Sequence, residues 1–507
     1  MTPETLTREL SQFLSTASDA VVLEDGGVVF DLTQSHYSIS GEFNKCLLHL
    51  WSSERNVVRR VVDLELKNDV LKLQVQRLGH SRPSKLEICR CRDRRTPTAK
   101  RAARMAYQRK LQCLLERRFP GYSIVRLSSG ADLERSFGPI YTRGLIRRGQ
   151  SGFAVLGVNQ QETQASIDAA LTFGILWLDI CRQAEAGKCL VEGLRLFLPV
   201  KSAAVVRERM AQLNATAAKW ELFELDEREG SLAQIDLFDR GNLNTRLVRL
   251  PDEAAWRARF AEAIATVHGL MPEAEAAILS PAEAAFRCHG LEFARARLAA
   301  DGGFHRAVEI VFGVGAEERV LDETSMEDFR HQVASIGEVR HAEGPRDHFL
   351  WRLHPERWVE SLVVKNIGAV DDRLLPGCLY SQVPAFSASD RAMIDVLGAT
   401  RDGRLAVVEL KAGEDIHLPL QGLDYWSRVK WHHARGEFQK FGYFPGKILS
   451  EEAPLLFLVA PALHVHPATD TLLRYISPGI DWTLAAIDEH WRERLRVVFR
   501  KRARHDN

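Results

Sequence analysis

The stretch "IDVLGATRDGRLAVVELKAGEDIHLPLQGLDYW", residues 394–426, decides how the last third of the chain is read. Residues 394–400 and 405–411 flank "RDG", a three-residue connection with glycine last. Such a connection turns a β-hairpin by placing its glycine in the left-handed conformation after a type I turn. Counting outward from Thr400 opposite Arg404 sets Ala399 against Leu405, Leu397 against Val407 and Asp395 against Glu409. The other face carries Ile394, Val396, Ala406, Val408 and Leu410, all apolar. Side chains alternate along a strand, so Asp395, Glu409 and Lys411 share one face at one end of the hairpin. A slip of one residue would scatter them, so the arrangement is an expectation about register.

Two neighbouring carboxylates repel unless something neutralises them. Mg²⁺ or Mn²⁺ would do so, since hard cations take oxygen ligands and keep positions for water and a phosphate oxygen. The backbone carbonyl of Leu410 would add a ligand. A cation there lowers the pKa of bound water and offsets charge at a five-coordinate phosphorus. Lys411, beside the cation without ligating it, would orient the attacking water or stabilise the transition state. These parts suit phosphodiester hydrolysis.

Asp395 followed across a hairpin by Glu409-Leu410-Lys411 resembles the core of the PD-(D/E)xK nuclease superfamily. Downstream, "LPLQGLDYW" sets Gln421 and Tyr425 at i,i+4 on a helix starting near Pro419, similar to the Q-x-x-x-Y helix of the RecB-like branch. Upstream, "PERWVESLVV" would be the first core helix, with Glu360 at the acidic position of that branch, and "APLLFLVAPAL" the last core strand. The resemblance covers about residues 350–465. It implies a restriction-endonuclease-like core, a mixed sheet flanked by helices. It further implies that Asp395 and Glu409 hold Mg²⁺ or Mn²⁺, that Lys411 assists the water and Glu360 supports the site, and that Gln421 and Tyr425 contact substrate. Ile394 stands where the pattern often has Pro, and no His precedes the first acid. An endonuclease is therefore expected over an exonuclease. DNA is the expected substrate, in repair or in defence against foreign DNA. RNA cleavage, or a catalytically silent nucleic-acid-binding scaffold of the same fold, stays open, as do a homo-oligomer and, by analogy alone, a helicase partner.

A second Glu-x-Lys, Glu65 and Lys67 in "VVDLELKND", tests how much the triplet means. About one or two chance copies are expected in a chain of 507 residues. This one lacks a facing acid and a following Gln/Tyr helix, and reads as a strand with a charged outer face.

The length implies two to four domains, and the chain reads as α/β and multidomain. Residues 1–88 read as β-rich, because "GVVFDLTQSHYSIS" and "DVLKLQVQRL" alternate at period two. Residues 89–250 read as α/β behind a basic helix, 251–330 as an Ala/Glu/Arg-rich helical connector broken near Pro272 and Pro281, and 331–507 as the nuclease-like domain. "AVLGVNQQETQASIDAALTFGILWLDICR" followed by "LRLFLPV" parallels the 406–461 region, with Gly157 and Asn159 where Glu409 and Lys411 stand. It suggests a degenerate nuclease-like copy, against the plainer reading that any α/β domain repeats strand and helix.

A net charge of +1 does not mark a nucleic-acid binder, but residues 89–118 hold eleven Lys and Arg against Asp93 and Glu116. Ala103, Tyr107, Leu111 and Leu114 form one stripe of that helix; Arg101, Arg104, Arg109 and Lys110 lie off it, either following a phosphate backbone or forming a solvated face. His432, His433, His464 and His466 read as satisfied or surface residues, and Trp426 and Trp431 as core or rim. No stretch of 18 uninterrupted apolar residues suggests a membrane span, and no signal peptide is apparent. The eight cysteines show no zinc-site spacing and read as reduced thiols of a cytoplasmic protein. No Gly-rich Walker loop supports an ATP-driven motor.

Overall fold

The computed structural model describes residues 2–17, 20–24, 27–32, 36–41, 45–51, 56–67, 70–77, 83–89, 97–132, 137–239, 245–299, 307–314, 318–387 and 393–503. Arg90, Arg92, Arg94 and Arg95 of the basic segment lie outside these residues. The chain is α/β and multidomain, and its described residues form four sheets in two compact units. One unit comprises 1–170, 180–203 and 221–234; the other comprises 171–179, 204–220 and 235–507.

The first unit opens with the helix Pro3–Ser15, which buries Leu6, Leu10, Phe13 and Leu14 against a seven-stranded antiparallel sheet. Glu65 and Lys67 are exposed on its strand Asn56–Lys67, and Glu65 stands opposite Lys72. The helix Pro97–Arg118 comes next and packs Tyr107, Leu111, Leu114 and Leu115 on a six-stranded sheet. That sheet runs from Ser123–Ser128 through the hairpin Thr142–Arg148/Ser151–Gly157 to Leu190–Pro199, which lies parallel to 151–157. A helix, Ala170–Ala184, makes the crossover. The stretch 164–184 reaches the length and hydropathy of a membrane span, and half of it is buried inside the structure, as a core helix would be.

The second unit places the helices Glu253–Arg259 and Ala261–Leu270 beside a five-stranded antiparallel meander that begins at Glu275. The expected helical connector over 251–330 is thus helical at its start and β in its middle. Ala-rich composition favours helix only as a weak prior. Here "EAAFRC" and "LEFARARL" pair as strands and deliver Phe286, Leu291 and Phe293 to one core. The buried guanidinium of Arg340 ties the meander to the segment 350–353, donating to the carbonyls of Cys288, His289, Leu350 and Leu353 at 2.7–3.1 Å. His354, at φ +47°, then turns the chain into the helix Pro355–Lys365.

A seven-stranded mixed sheet completes this unit, ordered Thr245–Leu247, Leu374–Ser387, Met393–Thr400, Leu405–Leu410, Leu455–Pro461, Trp482–Ile487, Val497–Arg502. The helix Leu418–His433 crosses from 405–410 to the parallel strand 455–461. Gly422 lets it approach closely, since a Cβ there would meet Leu458 at 2.6 Å. Helix, three antiparallel strands, crossover helix and parallel strand therefore occur in the same order along residues 97–199 and 355–461.

Candidate active site

The hairpin register agrees with the expected count. Val396 pairs with Val408, Leu397 with Val407 and Ala399 with Leu405, which carries Asp395 to Glu409. Thr400 donates its N–H to Arg404 O at 2.9 Å, and Gly403 takes φ +84°. Val396, Val408 and Leu410 pack toward the helix 355–365, together with Trp358 and Val359. Glu409 faces the other way, under Gly422.

Asp395 accepts the Leu410 N–H on Oδ2 at 2.9 Å. In extended backbone a residue's N–H and C=O point to the same side, so the Leu410 carbonyl is directed toward Asp395 as well. Glu409 is 2% exposed. Its Oε1 accepts from Lys411 Nζ at 3.2 Å, while its buried Oε2 receives no donor. The Asp395 and Glu409 carboxyls lie within hydrogen-bonding reach of each other. Burial, then the Asp395 charge, holds the Glu409 carboxyl well above the usual carboxylate range, and burial raises Asp395 too. Lys411 is raised by Glu409, with Asp415 adding to it, against the opposing pull of burial. A proton or a cation must sit between such acids.

Glu360 reaches this end of the sheet from the helix 355–365, buried at 6% exposure. Burial pushes its carboxyl up to about 8, against the pull of Arg357, whose Nη1 donates to it at 3.2 Å. Gln382, which the sequence reading missed, joins the acids: its Nε2 donates to Glu360 Oε2 at 2.6 Å and to Asp395 Oδ1 at 3.3 Å. It does so from a left-handed φ of +53°, unusual for a residue with a β-carbon. Across the site, Tyr425 is raised by burial and by Glu409 and Asp395, so it stays a neutral phenol. Gln421 presents a buried Oε1 without a donor. The structure thus gathers Glu360, Asp395, Glu409, Lys411 and Tyr425, with Gln421 one turn before Tyr425 on the same helix.

The donor set fits a hard cation. Two carboxylates converge beside the Leu410 backbone, and the buried Oε2 of Glu409 has no donor. Among the described residues no three His, Cys, Asp or Glu side chains form a cage. An ion held by two acids and a carbonyl keeps several water positions, as Mg²⁺ prefers.

The other candidates divide. In the basic helix Arg101 and Arg109 are exposed. Arg104 pairs with Glu162 at 2.7 Å, and Lys110 donates to the Glu227 carbonyl at 3.1 Å. His432 is buried between Glu437 and Thr245 Oγ1. His466 accepts the Ala468 N–H on Nδ1. Trp426 is core, donating to the Pro454 carbonyl. The seven described cysteines are free thiols.

The parallel drawn from sequence between the two hairpins needs a one-residue correction. Gly157 faces the helix 97–118, where a Cβ would meet Tyr107 Oη at 2.5 Å. It matches Leu410, which faces the equivalent helix, and not Glu409. The counterparts of Asp395, Glu409 and Lys411 are Arg143, Leu156 and Val158, with Arg143 and Leu156 paired across the hairpin. Strand alternation makes the slip visible only once each face has a helix against it.

The chain matches no known family model, no curated protein and no solved structure.

Proposed function

We propose that this protein is a divalent-metal-dependent nuclease that hydrolyses phosphodiester bonds of DNA, with a restriction-endonuclease-like core of the PD-(D/E)xK type in its last third. The observation that carries the reading is the register-matched pair of half-buried Asp395 and buried Glu409, with an undonated Glu409 oxygen and Lys411 at 3.2 Å. A buried acid pair raised by its own burial costs stability, and a cation bound between the acids offsets that cost.

Asp395, Glu409 and the Leu410 carbonyl would hold Mg²⁺ or Mn²⁺, which when bound supplies Lewis acidity and an activated water. Lys411 places positive charge beside that water. Tyr425, kept protonated, donates to a phosphate oxygen, and Gln421 offers its amide to the same strand. Gln382 and Glu360 hold Asp395 in place. The four-part set of hairpin acids, Lys411, upstream Glu360 and Gln/Tyr helix favours hydrolysis over a silent scaffold, because a scaffold has no use for a buried carboxylate oxygen left without a donor.

The test is cleavage of labelled single-stranded, duplex and branched DNA, and of RNA, with Mg²⁺, Mn²⁺ or EDTA. Wild type is expected to cut DNA only with metal, and Glu409→Ala to lose at least about a thousandfold in rate, the scale on which removing charge stabilisation acts. No metal-dependent cutting of any substrate, with nucleic-acid binding intact, would favour the scaffold.

A further inference from the structure

The end of the six-stranded sheet that corresponds to the acid-bearing end is positively charged. Arg143, at the position of Asp395, is 4% exposed and donates to the carbonyls of Gly138 and Gly130 at 3.0 and 2.5 Å. It thereby fixes the two segments that wall a cavity of about 590 Å³ at this end of the sheet. Lys100, Arg101, Arg104, Ser129, Gly130 and Ile140 line it. Among the described residues, the carboxylates facing these cations are Glu162, paired with Arg104, and Asp132, which acts on Arg143. Lys100 and Arg101 are exposed at the mouth.

An acid-bearing strand end needs a cation before it can meet a phosphate; a strand end with the charge inverted does not. The volume lies in the range of small-ligand sites and accommodates one nucleotide. We propose that this cavity binds a phosphorylated nucleotide unit directly, without metal, with Lys100 and Arg101 on the phosphate, Arg104 behind them and Arg143 as a positioning residue. The ligand class rests on the nuclease reading above. The unit is either the phosphorylated end of a DNA strand or a free nucleoside monophosphate.

Binding is measured on the full chain in EDTA, by fluorescence anisotropy of a short single-stranded oligonucleotide with and without a 5′ phosphate. Lys100→Gln/Arg101→Gln, at exposed positions, is expected to weaken binding of the phosphorylated probe by about tenfold or more. It should lower the log–log salt slope by about 1.4, for two lost phosphate contacts on a single strand. Arg109→Gln, on the same helix but not lining the cavity, should stay within about twofold of wild type. With the double variant's loss in hand, displacement by millimolar nucleoside monophosphate identifies the free nucleotide as the ligand. Retention of the probe identifies the strand end. A double variant that binds like wild type, or an Arg109→Gln loss equal to it, overturns the proposal in favour of diffuse charge. Because no metal or turnover enters, these results are independent of whether Glu409→Ala abolishes cleavage.

Discussion

The hairpins 393–410 and 142–157 take the same antiparallel pairing, the same parallel neighbour and the same flanking helices, yet their buried ends carry opposite chemistry. One sets half-buried Asp395 against buried Glu409; the other buries Arg143 against Leu156, with Arg143 directed at local carbonyls and over the Phe137 ring. Leu156 and Val158 are buried and bring no polar group that needs a partner. Topology therefore does not require the acids, and burying them is a cost that a bound cation would offset.

The strongest way to break this comparison is to make the acid-bearing hairpin like its counterpart. Glu409→Leu combined with Lys411→Met, so that no ammonium is left unpaired, should abolish metal-dependent cleavage and at the same time stabilise the metal-free protein by about 1–4 kcal/mol, as replacing a buried ion pair with apolar groups often does. Denaturant unfolding in EDTA checks it, and a destabilised variant would mean that Glu409 is structural. The converse, Leu156→Glu, buries a carboxylate opposite an Arg143 already committed to carbonyls, and should cost about 3 kcal/mol or more without adding activity.

Arg340→Ala should cost a similar amount, at least about 3 kcal/mol, because four buried carbonyls lose charge-assisted donors at once. Urea unfolding measures the loss. The acid pair itself should persist in any Arg340→Ala protein that folds, since its register is fixed within the hairpin.

The acids also set a pH dependence. Glu360 is raised to about 8 in the folded protein, and Glu409 and Asp395 are raised in the same direction. Between the ordinary carboxylate range and pH 8 the folded state keeps protons that the unfolded state has lost. Stability therefore falls as pH rises through this window, by up to about 1.4 kcal/mol per pH unit for each group concerned. Melting in EDTA from pH 5 to 8 should show the fall, Glu360→Gln should flatten part of it, and Mg²⁺ should raise the melting point more at pH 8 than at pH 6. An unchanged melting point in EDTA would mean that the acids are hydrated rather than buried.

Much of the acid-bearing site was legible because it lies in one local element. A three-residue turn fixes the register, and register fixes which side chains share a face. The Gln421/Tyr425 helix was legible for the same reason, since i,i+4 spacing on a helix needs no long-range knowledge. Gln382 was not, because it sits in a fourteen-residue strand, Leu374–Ser387, broken up by Pro376, Gly377 and Pro384. Its role also depends on a left-handed backbone that nothing local announces. Arg340 was missed because its partners are carbonyls brought together by the fold. The meander after Glu275 was misread because its alanines favour helix locally, whereas pairing and burial of Phe286 and Phe293 decide otherwise. The one-residue slip between Glu409 and Gly157 has the same root: faces are assigned by the helices that cover them, and those come from far along the chain.

We propose that the acid pair exists to hold a cation. Titration calorimetry with Mn²⁺ on wild type and on Glu409→Gln, at pH 8 and without nucleic acid, tests it most directly. Wild type is expected to bind Mn²⁺ saturably, with proton release, and Glu409→Gln to lose that binding while its fold persists. Equal binding by both proteins, or none by wild type, would contradict it.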